Sequence, residues 1–197
     1  PILRVDGEMI PKQKVTNFVN KHLDKMKELD LSFFEMTAAM AFDYFDQSDV
    51  EVAVIETGLG GRRDATKHIT PILSVVTNVS FDHTEFLGDT LAKIAAEKAG
   101  IIKKSVPVIV GQHNENYDNV FVERAKELNS RIIFAEDEWT LNGVEHFDDT
   151  HQHFSLVRER DARGFELDID LLGNYQRHNI VTVCAAVDLL AENTPLT

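Results

Sequence analysis

Four residues stand where chain geometry puts chemistry: Glu56, Asp82, His83 and Lys98. The run "EVAVIE" at 51–56 is apolar until it ends in Glu56, and the chain then turns through Gly58, Gly60 and Gly61. The next apolar run, "PILSVVTNVS", leads into "FDHTEF", which holds Asp82, His83 and Glu85. In an open parallel sheet, ligands sit beyond the carboxyl ends of the strands. Two such strand ends here carry a carboxylate and an Asp-His pair, donors suited to a divalent cation. Plainer roles stay open: Glu56 capping its turn or pairing with Arg62, and His83 satisfied by loop neighbours.

The glycines also have two readings. They let backbone amides approach an anion, or they simply permit a tight left-handed turn. "GLGGRRD" is not a dinucleotide fingerprint, because Arg63 occupies the place of its last glycine, which argues against a nicotinamide cofactor. Lys98 lies in "AAEKAGII", an Ala/Gly-rich helix suited to close packing; such a lysine snorkels, pairs with Glu97, or is recruited to a site. No G-x-x-x-x-G-K-[ST] loop occurs in the sequence, so residues that would grip ATP phosphates that way are absent from it. His146, His151 and His153 beside Asp148 and Asp149 suggest a metal, but their spacing fits an exposed hairpin equally well.

The elements that must position these residues follow from periodicity. Apolar Val15, Phe18, Val19, Leu23 and Met26 predict a helix over 11–28. Ser32 and Glu35, at capping-box spacing, announce a second helix. Beyond "EVAVIE", read as a buried strand, the strands "PILSVVTNVS", "VPVIVG" and "RIIFAE" alternate with helices over "TLAKIAAEKAGII" and "YDNVFVERAKEL". That alternation predicts an α/β fold with a mostly parallel sheet flanked by helices. From Trp139 to Leu172 polar and apolar residues alternate, predicting antiparallel hairpins at a sheet edge. A final helix, "YQRHNIVTVCAAVDLLAE", precedes "NTPLT", which reads as the start of a linker.

At 197 residues the chain is expected to form one domain, and 43% hydrophobic with 27% charged residues excludes wholesale disorder. A formal charge of −13 argues against nucleic acid and anionic membranes as partners. The single cysteine, Cys184, lies in an apolar helical stretch and reads as a small buried filler. No apolar run approaches the ~18 residues of a membrane span, so the expected compartment is the cytoplasm. The first residue is Pro1, not Met, and the sequence is expected to be a piece of something longer.

Three stretches, in order, resemble the central domain of the folylpolyglutamate synthase/dihydrofolate synthase family of the Mur ligase superfamily. They are "ETGLGGRRDAT" (56–66), "DHTEFLGDTLAKIAAEKAGIIK" (82–103) and "LLGNYQRHN" (171–179). "RVDGEMIP" also resembles the end of the family's loop after its phosphate-binding region. The resemblance implies a P-loop-type fold lacking its phosphate loop. The domain would run over 1–192, with 193–197 leading to a missing C-terminal domain. It implies ATP and Mg²⁺ as cofactors, Glu56 as a magnesium ligand, His83 as a ligand of a second magnesium, and Lys98 as a carbamylated lysine that helps hold that second ion. An ordinary lysine, with a pKa of ~10.4, would repel Mg²⁺; carbamylation turns it into an anion with two oxygen donors.

By the same resemblance Gln176 and Asn179 contact the nucleotide, where otherwise they are amides opening a helix. Asp64 is placed near the reaction and the folate, and Asp82 on the substrate side; a turn-stabilising carboxylate is the plainer role for Asp64. The implied activity is addition of L-glutamate to dihydropteroate or a folylpolyglutamate through an acyl phosphate, by a protein that is a monomer when full length. These 197 residues alone are expected to fold without ligase activity. The sequence departs from the family at Lys67, His68 and Phe81. Two alternatives are another Mur-superfamily ligase and a metal-dependent hydrolase or non-catalytic nucleotide-binding module.

Overall fold

The structure is a computed structural model that describes residues 3–61, 64–81, 87–146 and 150–193, without the side chains of 145, 146 and 193. It divides into two compact units, 1–68 and 69–197.

The first unit opens with a hairpin, β1 (Arg4–Val5) and β2 (Glu8–Met9). Its corner residues Asp6 and Gly7 both have positive φ, 51° and 81°, as the twist of a two-residue hairpin loop requires. Helices α1 (Lys12–Glu28) and α2 (Phe33–Gln47) follow, burying Phe18 and Met26 from one and Thr37 and Ala41 from the other. The capping box forms: Glu35 N donates to Ser32 Oγ at 3.3 Å, and Ser32 N donates to Glu35 Oε2 at 2.9 Å.

The run 51–56 corrects the sequence reading. It has no ladder partner among the described residues, and Val54 is 91% exposed. Strand propensity measures how a side chain fits a pleated, half-buried surface. Without a partner strand, the apolar residues Val52 and Val54 stay at the surface.

The second unit holds a parallel sheet of β3 (Ser74–Val76), β4 (Val108–Val110) and β5 (Ile132–Phe134), in that order. Side-chain alternation divides its core. Val76, Val108 and Val110 pack with Ile94 and Ala95 of α3 (Leu91–Lys98) and with Phe121 and Ala125 of α4 (Asp118–Glu127). Ile109 and Ile133 belong to a second cluster, with Ile180, Val181, Ala185 and Leu189 of a long helix near the chain's end. A short α5 (Ala135–Glu138) follows β5, and the long helix is α6 (Gln176–Asn193).

The expected antiparallel strands are present as a sheet of their own, β6 (Trp139–His146), β7 (Gln152–Arg158) and β8 (Arg163–Ile169). Phe154 and Leu156 of β7 join the α6 cluster. Arg158 locks the far end of α6: it bonds Asp188 at 3.0 Å and Asp161 at 2.6 Å, and lies over the rings of Trp139 and Phe165. Trp139 Nε1 donates to the other Asp188 oxygen at 3.2 Å. Cys184 is half-buried, and burial pushes its thiol up to about 11, with Asp188 adding to the rise. That keeps it protonated and unreactive at neutral pH. No helix among the described residues is long and apolar enough to cross a membrane.

Candidate active site

Glu56 sits in the first unit, exposed, at the entrance to the glycine turn. Behind it the turn is organised by Asp64, which is only 6% exposed. Its Oδ2 accepts from the backbone N–H of Gly58 at 2.7 Å and of Leu59 at 3.2 Å. Its Oδ1 accepts from Thr66 N at 2.9 Å and Thr66 Oγ1 at 2.7 Å. Burial pushes the carboxyl up, but the bonds from Thr66, Gly58 and Leu59 together hold it below the usual carboxylate range. Four donors saturate one carboxylate, so Asp64 acts as the clasp of its own loop.

Two of the glycines are explained by this arrangement. Gly60 has φ 65°, a left-handed conformation costly for other residues, and its carbonyl accepts from Thr57 Oγ1 at 3.0 Å. At Gly58 an added Cβ would lie 2.6 Å from the Phe34 ring, so glycine lets that ring lie against the loop. The Gly58 and Leu59 amides are turned toward Asp64.

Asp82, His83 and Glu85 lie outside the described residues, as do Arg62, Arg63, Asp148 and Asp149. Lys98 is the last residue of α3 in the second unit, half-buried, at the helix end whose dipole favours a cation. Its backbone belongs to the helix ladder, and its side chain has no hydrogen bond or ion pair among the described residues. Among the described residues no group of three or more His, Cys, Asp or Glu side chains is arranged to hold a metal ion. His153 is instead bracketed on the hairpin sheet by Asp168 at 2.7 Å and Glu166 at 2.9 Å.

Gln176 and Asn179 are brought together. Gln176 is buried in the first turn of α6, and its Oε1 accepts from Asn179 Nδ2 at 3.0 Å. The turn before it depends on Gly173, whose φ is 121° and whose missing Cβ leaves room for the Tyr175 ring.

A polar group that sequence reasoning did not single out follows β4, on the carboxyl side of the parallel sheet. Gln112 Nε2 lies 2.8 Å from His178 Nδ1. The His113 ring stacks on Phe134 at 4.0 Å and bonds Asp118 at 2.8 Å and Asp137 at 3.1 Å. Its backbone N–H donates to Glu136 at 2.9 Å. The bond to Asp118 raises the His113 pKa against a smaller opposing effect of burial, and Asp137 raises it further. The available signal was position: "QHN" comes straight after the strand "VPVIVG", at a ligand-binding edge.

The Mur ligase middle domain family matches residues 32–187. The chain belongs to the Mur ligase family. Among its Mur ligase relatives, the folylpolyglutamate synthase of Lacticaseibacillus casei is 32% identical over 204 residues, covering 99% of this chain and 47% of that protein. A protein named probable bifunctional folylpolyglutamate synthase/dihydropteroate synthase, from Haloferax volcanii, is 36% identical over 182 residues, 90% of this chain and 22% of its own. The solved structure called FPGS-AMPPCP-folate complex superposes with a TM-score of 0.87 at 31% identity, covering 100% of this chain and 51% of that one. This Mur ligase chain thus spans about half, or less, of the length of the relatives it matches.

Proposed function

We propose that this chain is the nucleotide-binding middle part, over 1–192, of an ATP-dependent ligase that joins L-glutamate to dihydropteroate or a folylpolyglutamate. The γ-phosphoryl of ATP passes to the substrate carboxylate, giving an acyl phosphate and ADP. The amine of glutamate then attacks the acyl carbon, phosphate leaves, and an amide bond remains. Support comes from the family, from the names of its relatives, and from the neighbouring structure named for an ATP analogue and folate.

The observation that carries the nucleotide reading is the Gln176–Asn179 pair. A side-chain amide has one donor end and one acceptor end. When two amides share one bond, whichever way both are turned, one NH₂ group and one carbonyl stay unengaged by it, a donor group beside an acceptor group. Adenine offers a matching edge, the N6 amino donor beside the N7 acceptor, whereas guanine offers two acceptors, O6 and N7. That donor-beside-acceptor pattern favours ATP over GTP, because guanine offers no donor to the carbonyl on that edge.

The donor chemistry fits magnesium. Glu56 is an exposed carboxylate, a hard oxygen ligand, and Lys98 is a half-buried amine at the end of α3, where carbamylation would supply two further oxygen donors. Glu56, His83 and carbamylated Lys98 would hold the ions, which when bound supply charge neutralisation for the phosphates. Asp82 serves the substrate side. Asp64 serves it through the loop it clasps, beside the Phe34 ring. The full-length protein works as a cytoplasmic monomer.

The test is phosphate release by the full-length protein, supplied with ATP, dihydropteroate or a folate, and glutamate. We expect turnover that requires all three, prefers ATP to GTP, and disappears in Glu56→Gln. Turnover with a peptidoglycan-precursor carboxylate and none with any folate would overturn the assignment.

A further inference from the structure

At Gly111, just past β4, the chain nearly touches Thr77, just past β3, and Thr182 of α6. Its N–H donates to Val76 O at 2.8 Å. An added Cβ there would stand 2.2 Å from Thr77 O and 2.6 Å from Thr182 Oγ1. Only glycine lets the end of β4 run so close to α6, and that approach brings the next residue, Gln112, against the helix one turn earlier, at His178. The same turn is tied from within, since Thr182 Oγ1 donates to His178 O at 3.0 Å. His178 stands between Gln176 and Asn179 in sequence, immediately before Asn179. His113, beside Gln112, anchors this loop to the starts of α4 and α5 through Asp118 and Asp137.

We propose that Gln112 is a positioning residue for nucleotide binding, which through His178 sets the first turn of α6 and with it the Gln176–Asn179 pair. This rests on the reading of that pair as the adenine contact. The amide NH₂ of Gln112 can only donate, so His178 accepts at Nδ1 and carries its proton on Nε2. The bond fixes the rotation of the opening turn, where an unsupported helix frays. Base selection requires two amides presented together, and a frayed turn presents them one at a time. Losing one such bond is worth about three- to tenfold in nucleotide affinity.

The test is titration of the full-length protein with a non-hydrolysable ATP analogue, followed by steady-state kinetics. Gln112→Leu and His178→Leu should each raise the nucleotide Kd and KM three- to tenfold, leave the folate KM unchanged, and narrow the preference for ATP over GTP. The double variant should be no worse than either single one, because both remove one contact. Gln112→Glu should restore most of the affinity, since its carboxylate accepts from His178 in the Nδ1–H tautomer. The proposal fails if Gln112→Leu binds the analogue like wild type, if the two single effects add, or if nucleotide and folate affinity fall together. Gln176→Leu separates this from the underlying assignment. If it leaves nucleotide affinity unchanged, the reading of α6 as the base contact is wrong. If it weakens binding while Gln112→Leu does not, only the positioning role is wrong.

Discussion

Asp64→Asn tests the clasp of the glycine loop. The substitution keeps the shape and exchanges one acceptor oxygen for an NH₂ group, which cannot receive an N–H. The amide will turn that group toward Gly58 and Leu59, because both are exposed and water can take over their donors, whereas Thr66 is buried. Two bonds, at 2.7 and 3.2 Å, are lost outright, and the two to Thr66 weaken because the acceptor is no longer charged. With water replacing the first pair at a net loss of about 1 kcal/mol per bond, and about 0.5 for each weakened one, the loop loses about 3 kcal/mol. That corresponds to a loss of protection on the order of a hundredfold at the affected amides. Native-state hydrogen exchange reads it directly: Gly58 and Leu59 should lose protection most, Thr66 less, and the amides of α1 should not change. The wild-type loop should also respond to acid. A carboxyl held below its ordinary value stabilises the fold above that ordinary value, about 3.9, and loses the contribution as pH falls through the lowered one. The variant should show no such acid dependence. Unchanged exchange at Gly58 and Leu59 in Asp64→Asn, or a larger loss at Thr66, would show that the carboxylate does not hold the loop.

Three further outcomes follow from the second unit. Gly111→Ala drives a methyl into Thr77 O and should destabilise this unit by about 3 kcal/mol or more, seen as a sharply lowered Tm even without ligand. Gln152→Met should raise the Tm, because Gln152 is 2% exposed with its NH₂ unpartnered among the described residues, and removing a buried unsatisfied donor is worth about 1–2 kcal/mol; a fall in Tm would show that the amide is satisfied. His113→Gln should lower the Tm more at pH 6 than at pH 9. A histidine whose pKa is raised by Asp118 and Asp137 gives its full contribution below the unfolded value of about 6.5 and loses it as pH climbs through the raised one. Equal effects at both pH values would remove the ion-pair explanation.

What the sequence discloses depends on the range of the interaction. The capping box at Ser32 and Glu35, three residues apart, was legible because both bonds are local. The parallel strands were legible because residues such as Val108, Ile109 and Val110 are apolar on both faces. The run 51–56 was misread because it carries the same signature, and apolar composition records what a segment can bury, not whether a partner lies alongside. Asp64 was half legible. Its bonds to Thr66 are a familiar two-residue turn, but those to Gly58 and Leu59 reach back over six and five residues. The contact between Gln112 and His178 spans 66 residues and depends on a glycine whose missing side chain makes room, and no local pattern announces it.

The surface position of Val52 and Val54 matters for handling the protein. A short, β-branched stretch without a ladder partner is the kind that stacks with copies of itself. Here it is bracketed by Glu51 and Glu56, and in any in-register stack these acids would sit one above another at strand spacing, about 4.8 Å, and repel. Neutralising both, as Glu51→Gln with Glu56→Gln, would leave the ribbon without gatekeepers, so loss of the metal binding proposed for Glu56 would have to be separated from precipitation in such a variant.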